Sequence, residues 1–195
     1  YDYRGLGNGL TVTEVWPASD LEMMENTIGK DLKDAPLHTY YLTMSGHLNY
    51  TFAGNSMALK HRDKVRELEL SEGPQAYLAC NAELDAAVGY LLETLEAEGA
   101  LADTVIVLSG DHYPYGLKEA ERAELAGGPV EEHFERFRST LILWSGDMEE
   151  PVRVDKLCSS LDIMPTLANL MGLPYDSRLI MGRDILSDSP GRVIL

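Results

Sequence analysis

Two neighbouring side chains, Asp111 and His112, are the best candidates for chemistry in this sequence. They follow Gly110 at the end of an apolar run, Val105-Ile-Val-Leu108, where the chain must turn sharply. A carboxylate oxygen beside a neutral imidazole nitrogen suits a divalent cation such as Zn²⁺ or Mn²⁺. His47, in Ser45-Gly46-His47, ends a second extended-looking run and joins the candidate set, although a loop histidine is usually just that. The bland reading of Asp111 is a turn cap, with His112 packed on Tyr113 and Tyr115. The end of a strand favours the metal reading, because loops there are where α/β proteins gather their sites.

Other polar groups read as structural. His38 opens the run before His47, at the opposite edge from the proposed site. His61 stands among Lys60, Arg62 and Lys64 on what reads as a solvated face, and His133 follows Glu131-Glu132 on a surface helix. Asp162 reads as a helix cap, Trp144 as a packing residue, and Trp16 lies in an irregular segment. No G-x-S-x-G, Walker loop or H-E-x-x-H occurs.

The elements that must position these groups alternate in type. Ser19-Asp-Leu-Glu22 forms a capping box, and Leu21, Met24, Ile28 and Leu32 recur at helical spacing, predicting an amphipathic helix over 19–33. His38–Met44, rich in aromatic and β-branched residues, predicts a strand. A helical piece is expected between Asn55 and Leu70. A long helix begins at Gly73-Pro74, presents Tyr77, Leu84, Val88, Leu91 and Leu95 on one face, and stops at Gly99. Asp103–Ser109 reads as a strand buried on both faces of a parallel sheet. Residues 117–138 are helical in flavour, with a break at Gly127-Gly128-Pro129, and Thr140–Trp144 is a third strand. A last helix, capped by Ser160 or Asp162, tolerates Pro165 in its first turn and ends at Gly172. The fold class this predicts is α/β, a layered sandwich with a mostly parallel sheet.

Sixteen Lys and Arg against 32 Asp and Glu give a net charge of −16, which repels nucleic-acid backbones and anionic lipid surfaces. An anion-handling site in such a chain needs a metal to reverse the local sign. No spanning helix or signal peptide is legible. Cys80 and Cys158, far apart and outside any C-x-x-C, are expected to be unpaired core thiols.

Asp103-Thr-Val-Ile-Val-Leu-Ser-Gly-Asp-His112 resembles the metal-binding strand end of the sulfatase branch of the alkaline phosphatase superfamily. It is most similar to the lipoteichoic acid synthase group of phosphoglycerol transferases. Tyr41-Leu-Thr-Met-Ser-Gly-His47 resembles the strand and loop with a substrate-contacting histidine. Leu84–Leu95 with Gly99 resembles the helix before the metal strand. Ser159-Ser-Leu-Asp-Ile-Met-Pro-Thr-Leu167, with Leu170, Gly172 and Gly182-Arg-Asp184, resembles the closing helix and tail. Four ordered motifs over roughly residues 39–187 are more specific than any one alone.

The resemblance implies an alkaline-phosphatase-like domain of which this chain is the C-terminal part. Asp111 and His112 match metal ligands (Mn, Zn or Mg), and His47 matches a histidine that contacts the phosphate or glycerol group. It implies an anionic phosphoester or sulfate-ester substrate, including lipid-linked ones, and a place on the extracellular face of the membrane. The family's Glu ligand and its Thr or Cys-derived nucleophile have no match here, nor is there a C-x-P-S-R. The expectation is therefore a metal-dependent phosphoglycerol transferase or hydrolase in the intact protein, inert as this piece alone. The competing expectations are a non-catalytic binding domain of the same fold, a sulfuric ester hydrolase, and a two-metal mutase or phosphatase.

Overall fold

The computed structural model describes residues 12–193, which form two compact units, one ending at Gly146 and the other starting at Asp147. The first 18 residues carry no periodicity that assigns them an element, and the first 11 of them lie outside the described part.

The first unit is built on one long helix. Helix α1 (Asp20–Asp31) starts where expected, with the Ser19 hydroxyl accepting from the Glu22 amide at 3.0 Å. Two short helices, α2 (Ser56–Lys60) and α3 (Arg62–Val65), replace the single piece expected between Asn55 and Leu70. The Asn55 side chain caps α2 by accepting from the Ala58 amide at 2.8 Å. Helix α4 (Glu72–Ala97) carries Pro74 in its first turn and ends in a Schellman arrangement. There the Gly99 amide donates to the Glu96 carbonyl and that of Ala100 to the Leu95 carbonyl, while Gly99 takes a φ of 68°. The left-handed conformation is why glycine stands at this stop.

The buried face of α4 differs from the one expected. Leu91 and Leu95 are buried, but the rest of the stripe is Ala76, Ala79, Cys80, Glu83 and Ala87. Tyr77, Leu84 and Val88 are only half-buried. Small side chains let α1 and α2 approach the α4 axis closely, and that approach decides which face is covered. Around the first half of α4 the core holds Tyr50, Met57, Ala58, Val65 and Leu117. Around the second half it holds Met24 and Ile28, with Ile106 packed against them.

Strand β1 (Val105–Ser109) follows α4 and pairs with β2 (Leu141–Ser145) in antiparallel register, Val105 opposite Ser145 and Ser109 opposite Leu141. The expected parallel pairing does not occur in this pair. Its cause lies in α5 (Glu119–Ala126), which is held at the start of α4: Glu124 accepts from the Ser71 amide at 2.8 Å, and Leu125 joins the core of Ala76 and Cys80. The chain therefore re-enters the sheet at the end where it left, without a crossover. Neither strand is buried on both faces, and Val105 and Ile142 are exposed. Of the helical stretch expected over 117–138, α5 fills the part up to the break at Gly127. A single 3-10 turn, Glu135–Phe137, follows the break, so exposed His133 lies outside both.

His38–Met44 forms no strand among the described residues. Side chains of α1 supply its partners instead. Tyr41 donates to Asp31 at 3.2 Å and lies 3.2 Å from the Thr27 hydroxyl, while the Met44 and Ser45 amides are taken up by Asp20.

In the second unit, helix α6 (Ile163–Leu170) has Pro165 buried in its first turn and stops before Gly172, at φ 63°, as expected. Asp162 stands at the N-cap position of α6 but makes no side-chain cap bond to it. Its carboxylate instead closes a capping box with Ser159 in the preceding turn, accepting from the Ser159 amide at 2.7 Å and from the Arg183 amide at 2.7 Å. The second contact ties the Gly182-Arg-Asp184 tail to the helix start.

Candidate metal and substrate site

At the end of β1 the chain releases Asp111 and His112 into solvent, their side chains 73% and 46% exposed. They converge: His112 Nε2 lies 3.5 Å from Asp111 Oδ2. The other ring nitrogen, Nδ1, is 2.8 Å from the Tyr113 carbonyl, which can only accept, so Nδ1 carries the proton. In the neutral ring this leaves the Nε2 lone pair on the side of the carboxylate. Metal-binding histidines are fixed in this way, with the second nitrogen donating to a carbonyl or carboxylate. The pair therefore fits two positions of a divalent-ion site. Among the described residues no group of three or more His, Cys, Asp and Glu side chains could hold an ion.

The loop carrying this pair is braced from behind. The Tyr115 ring lies 4.7 Å from His112. Tyr113 meets Phe137 edge-on at 5.3 Å and sits under the guanidinium groups of Arg136, 5.6 Å away, and Arg122, 5.8 Å away. Arg122 also donates to the Leu117 carbonyl, and Leu117 is buried in the core beside α4.

His47 stands on a second loop that touches the first. Gly116 passes so close to that loop that a Cβ there would lie 2.9 Å from Tyr50 Cε2 and 3.1 Å from Leu48 Cβ. Tyr50 donates to the Gly46 carbonyl at 3.2 Å, and burial, aided by nearby anionic groups including Asp111, pushes its phenol well above the usual range. It stays a hydrogen-bond donor. His47 is half-buried, with the Trp16 ring edge-on at 5.0 Å. Its Nδ1 lies 3.3 Å from the Leu48 carbonyl, to which the Trp16 indole also donates at 2.9 Å. His47 and His112 thus share one device, each donating through Nδ1 to the next residue's carbonyl and presenting Nε2.

His61 is not on a solvated face. Its side chain is 12% exposed and its Nε2 lies 2.5 Å from Glu83, a carboxylate with no exposed surface. Glu83 also accepts from Lys60 at 2.9 Å and from the Ser19 hydroxyl. Burial alone would raise the Glu83 carboxyl, but the Ser19, His61 and Lys60 hydrogen bonds outweigh it and hold it below the usual range. Sequence reading missed Glu83 and Asp20. The signal for Glu83 was an acid in register with the small residues Ala76, Cys80 and Ala87 of one stripe.

Cys80 and Cys158 are both free, and Cys80 is buried, which pushes its thiol up to about 12. A cleft of about 520 Å³ lined by Phe52, Ala53, Leu59, Arg62, Glu72 and Gln75 includes none of the three candidate residues.

Residues 3–173 match the sulfatase family model. The chain is 30% identical over 164 residues to human arylsulfatase A, covering 78% of this chain and 28% of that protein. It is 24% identical over 182 residues to the lipoteichoic acid synthase-like YvgJ of Bacillus subtilis, covering 88% and 28%. It shares its fold with the lipoteichoic acid synthase LtaP from Listeria monocytogenes, at a TM-score of 0.63 and 20% identity over 95% of this chain and 46% of that one. Ps i-CgsB aligns at a TM-score of 0.62 and 18% identity over 85% and 36%. This chain spans under a third of the length of these two curated relatives. The α/β architecture expected from sequence is that of the alkaline-phosphatase-like domains, carried here in part, and the chain belongs to the sulfatase family.

Proposed function

We propose that Asp111 and His112 are two ligands of a divalent metal, and His47 a substrate contact, in an enzyme that transfers or hydrolyses phosphoglycerol groups. The observation that carries this reading is the 3.5 Å approach of His112 Nε2 to Asp111 Oδ2, with Nδ1 committed to the Tyr113 carbonyl. The remaining ligands and a Thr nucleophile, which would form a covalent intermediate, belong to parts of the protein outside these 195 residues. Those parts and this chain together make up one domain, of which this is the C-terminal portion. A bound divalent ion, whether Mn, Zn or Mg, would polarise a phosphoryl oxygen as a Lewis acid.

The chain's own residues have simpler tasks. Asp111 and His112 provide an anionic and a neutral donor, held in register by the Tyr113 carbonyl. His47, with Nδ1 bonded to Leu48, donates to a substrate oxygen through Nε2 only when the ring carries its second proton. Tyr50 and Gly116 keep the two loops in contact, and in this reading the histidine and the metal ligands serve one substrate. The substrate is an anionic phosphoester, lipid-linked and met on the extracellular face of the membrane. No helix among the described residues is long and apolar enough to cross a membrane. Alone, this chain is inert.

A second reading, hydrolysis of a sulfate ester, is favoured by the identity to arylsulfatase A. Assays of the full-length protein with a glycerophosphodiester lipid and with an aryl sulfate separate the two. Cation-dependent release of phosphoglycerol without sulfate release supports the first reading. Sulfate release alone sinks it.

A further inference from the structure

Asp20 is 1% exposed, and its carboxylate bonds to the loop that carries His47. Oδ1 accepts from the Met44 amide at 2.7 Å; Oδ2 accepts from the Ser45 amide at 3.1 Å and from the Ser45 hydroxyl. From that clamp the His47 amide donates back to the Met44 carbonyl at 3.0 Å, and the Asn55 side chain donates to the His47 carbonyl at 2.9 Å. The backbone on both sides of the His47 side chain is therefore fixed from α1 and from the start of α2.

Three donors converge on Asp20. A carboxylate offers about four lone-pair sites on two oxygens, whereas an amide offers one oxygen and would turn an NH₂ toward the remaining donors. Ionised acceptors also make roughly twice as strong a bond as neutral ones. Burial raises the Asp20 carboxyl, and the Ser45 and Met44 bonds pull against that rise. A group kept in so costly a place holds something in place that a weaker acceptor would not.

The geometry points to Asp20 as the positioning residue of His47: a buried carboxylate that sets the substrate-side histidine through the Met44–Gly46 backbone and contacts neither substrate nor metal. This inference rests on the reading of His47 as a substrate contact, and its test separates the two.

The test is a double-mutant cycle in the full-length protein, with Asp20→Asn, His47→Ala and the pair, read as kcat, KM and the metal concentration at half-maximal rate. Asp20→Asn is expected to lower kcat roughly tenfold, less than the roughly hundredfold that a full 1 Å misplacement can cost. The metal requirement should not move, and the pair should be no slower than His47→Ala alone. Rates that multiply in the pair, or a full rate in Asp20→Asn beside a slow His47→Ala, overturn the positioning role alone. A full rate in His47→Ala overturns the substrate-contact reading itself. If Asp20→Asn does not fold, Ser45→Ala, which leaves both amide bonds to Asp20, takes its place in the cycle. A smaller loss that vanishes in the His47→Ala background supports the inference, and a loss that persists there overturns it.

Discussion

Glu83, fully buried in the middle of α4, receives His61 Nε2 at 2.5 Å and Lys60 Nζ at 2.9 Å. Together with the Ser19 hydroxyl these bonds join α1, α2 and α4 at one carboxylate. Replacing Glu83 by Gln removes the charge and leaves donors short of an acceptor, at a cost of about 2–3 kcal/mol. Thermal or denaturant unfolding measures it. A variant as stable as the parent would show that the cluster is neutral to the fold.

The pH dependence has a definite sign. The Glu83 carboxyl is held below its unfolded value, so its stabilisation is complete above about 4.5 and is lost as pH falls through the folded value. Asp20 acts in the opposite sense: its raised carboxyl subtracts stability as pH climbs above about 3.8. The acid side of the stability curve should therefore flatten in Glu83→Gln. In Asp20→Asn it should steepen. Identical acid limbs for parent and Glu83→Gln would contradict the account.

Gly116→Ala tests the contact between the two site loops. Its Cβ would sit 2.9 Å from a ring atom of buried Tyr50, which has little room to give. A loss of about 1–3 kcal/mol is expected, the range for overpacking. The substrate KM of the full-length protein should rise as the loops part. An unchanged melting temperature would mean the loops do not depend on this approach.

Two other glycines should respond with opposite signs. Gly29, inside α1, and Gly99, at φ 68°, both have open space where a Cβ would go. Alanine at 29 should stabilise by about 0.5–1 kcal/mol, because helical glycine is entropically costly. Alanine at 99 should destabilise by roughly 1 kcal/mol, the cost of a left-handed L-residue. Paired denaturant curves decide it, and a shift in the same direction for both would refute the reading of the Gly99 stop.

What was legible in the sequence was local. The Ser19 cap, Pro74, and the stops at Gly99 and Gly172 each act within one helical turn, so residue type and spacing suffice. The place of Asp111-His112 just past a strand was legible because a β-branched run and a glycine precede it. The direction of strand pairing was not, because it depends on where α5 docks, some ten residues beyond β1. His38–Met44 has the composition of a strand, yet Asp20, Thr27 and Asp31 of α1 take up its polar groups. His61 looked solvated among Lys60, Arg62 and Lys64 because its partner, Glu83, lies 22 residues away.

The central claim is that Asp111 and His112 jointly hold a divalent ion. Elemental analysis of the full-length protein, purified and dialysed alongside its Asp111→Ala/His112→Ala variant, tests it most directly. The parent should retain bound Mn, Zn or Mg and the variant should retain none, while its far-UV spectrum stays that of the parent. A folded variant that keeps the same metal content would contradict the claim.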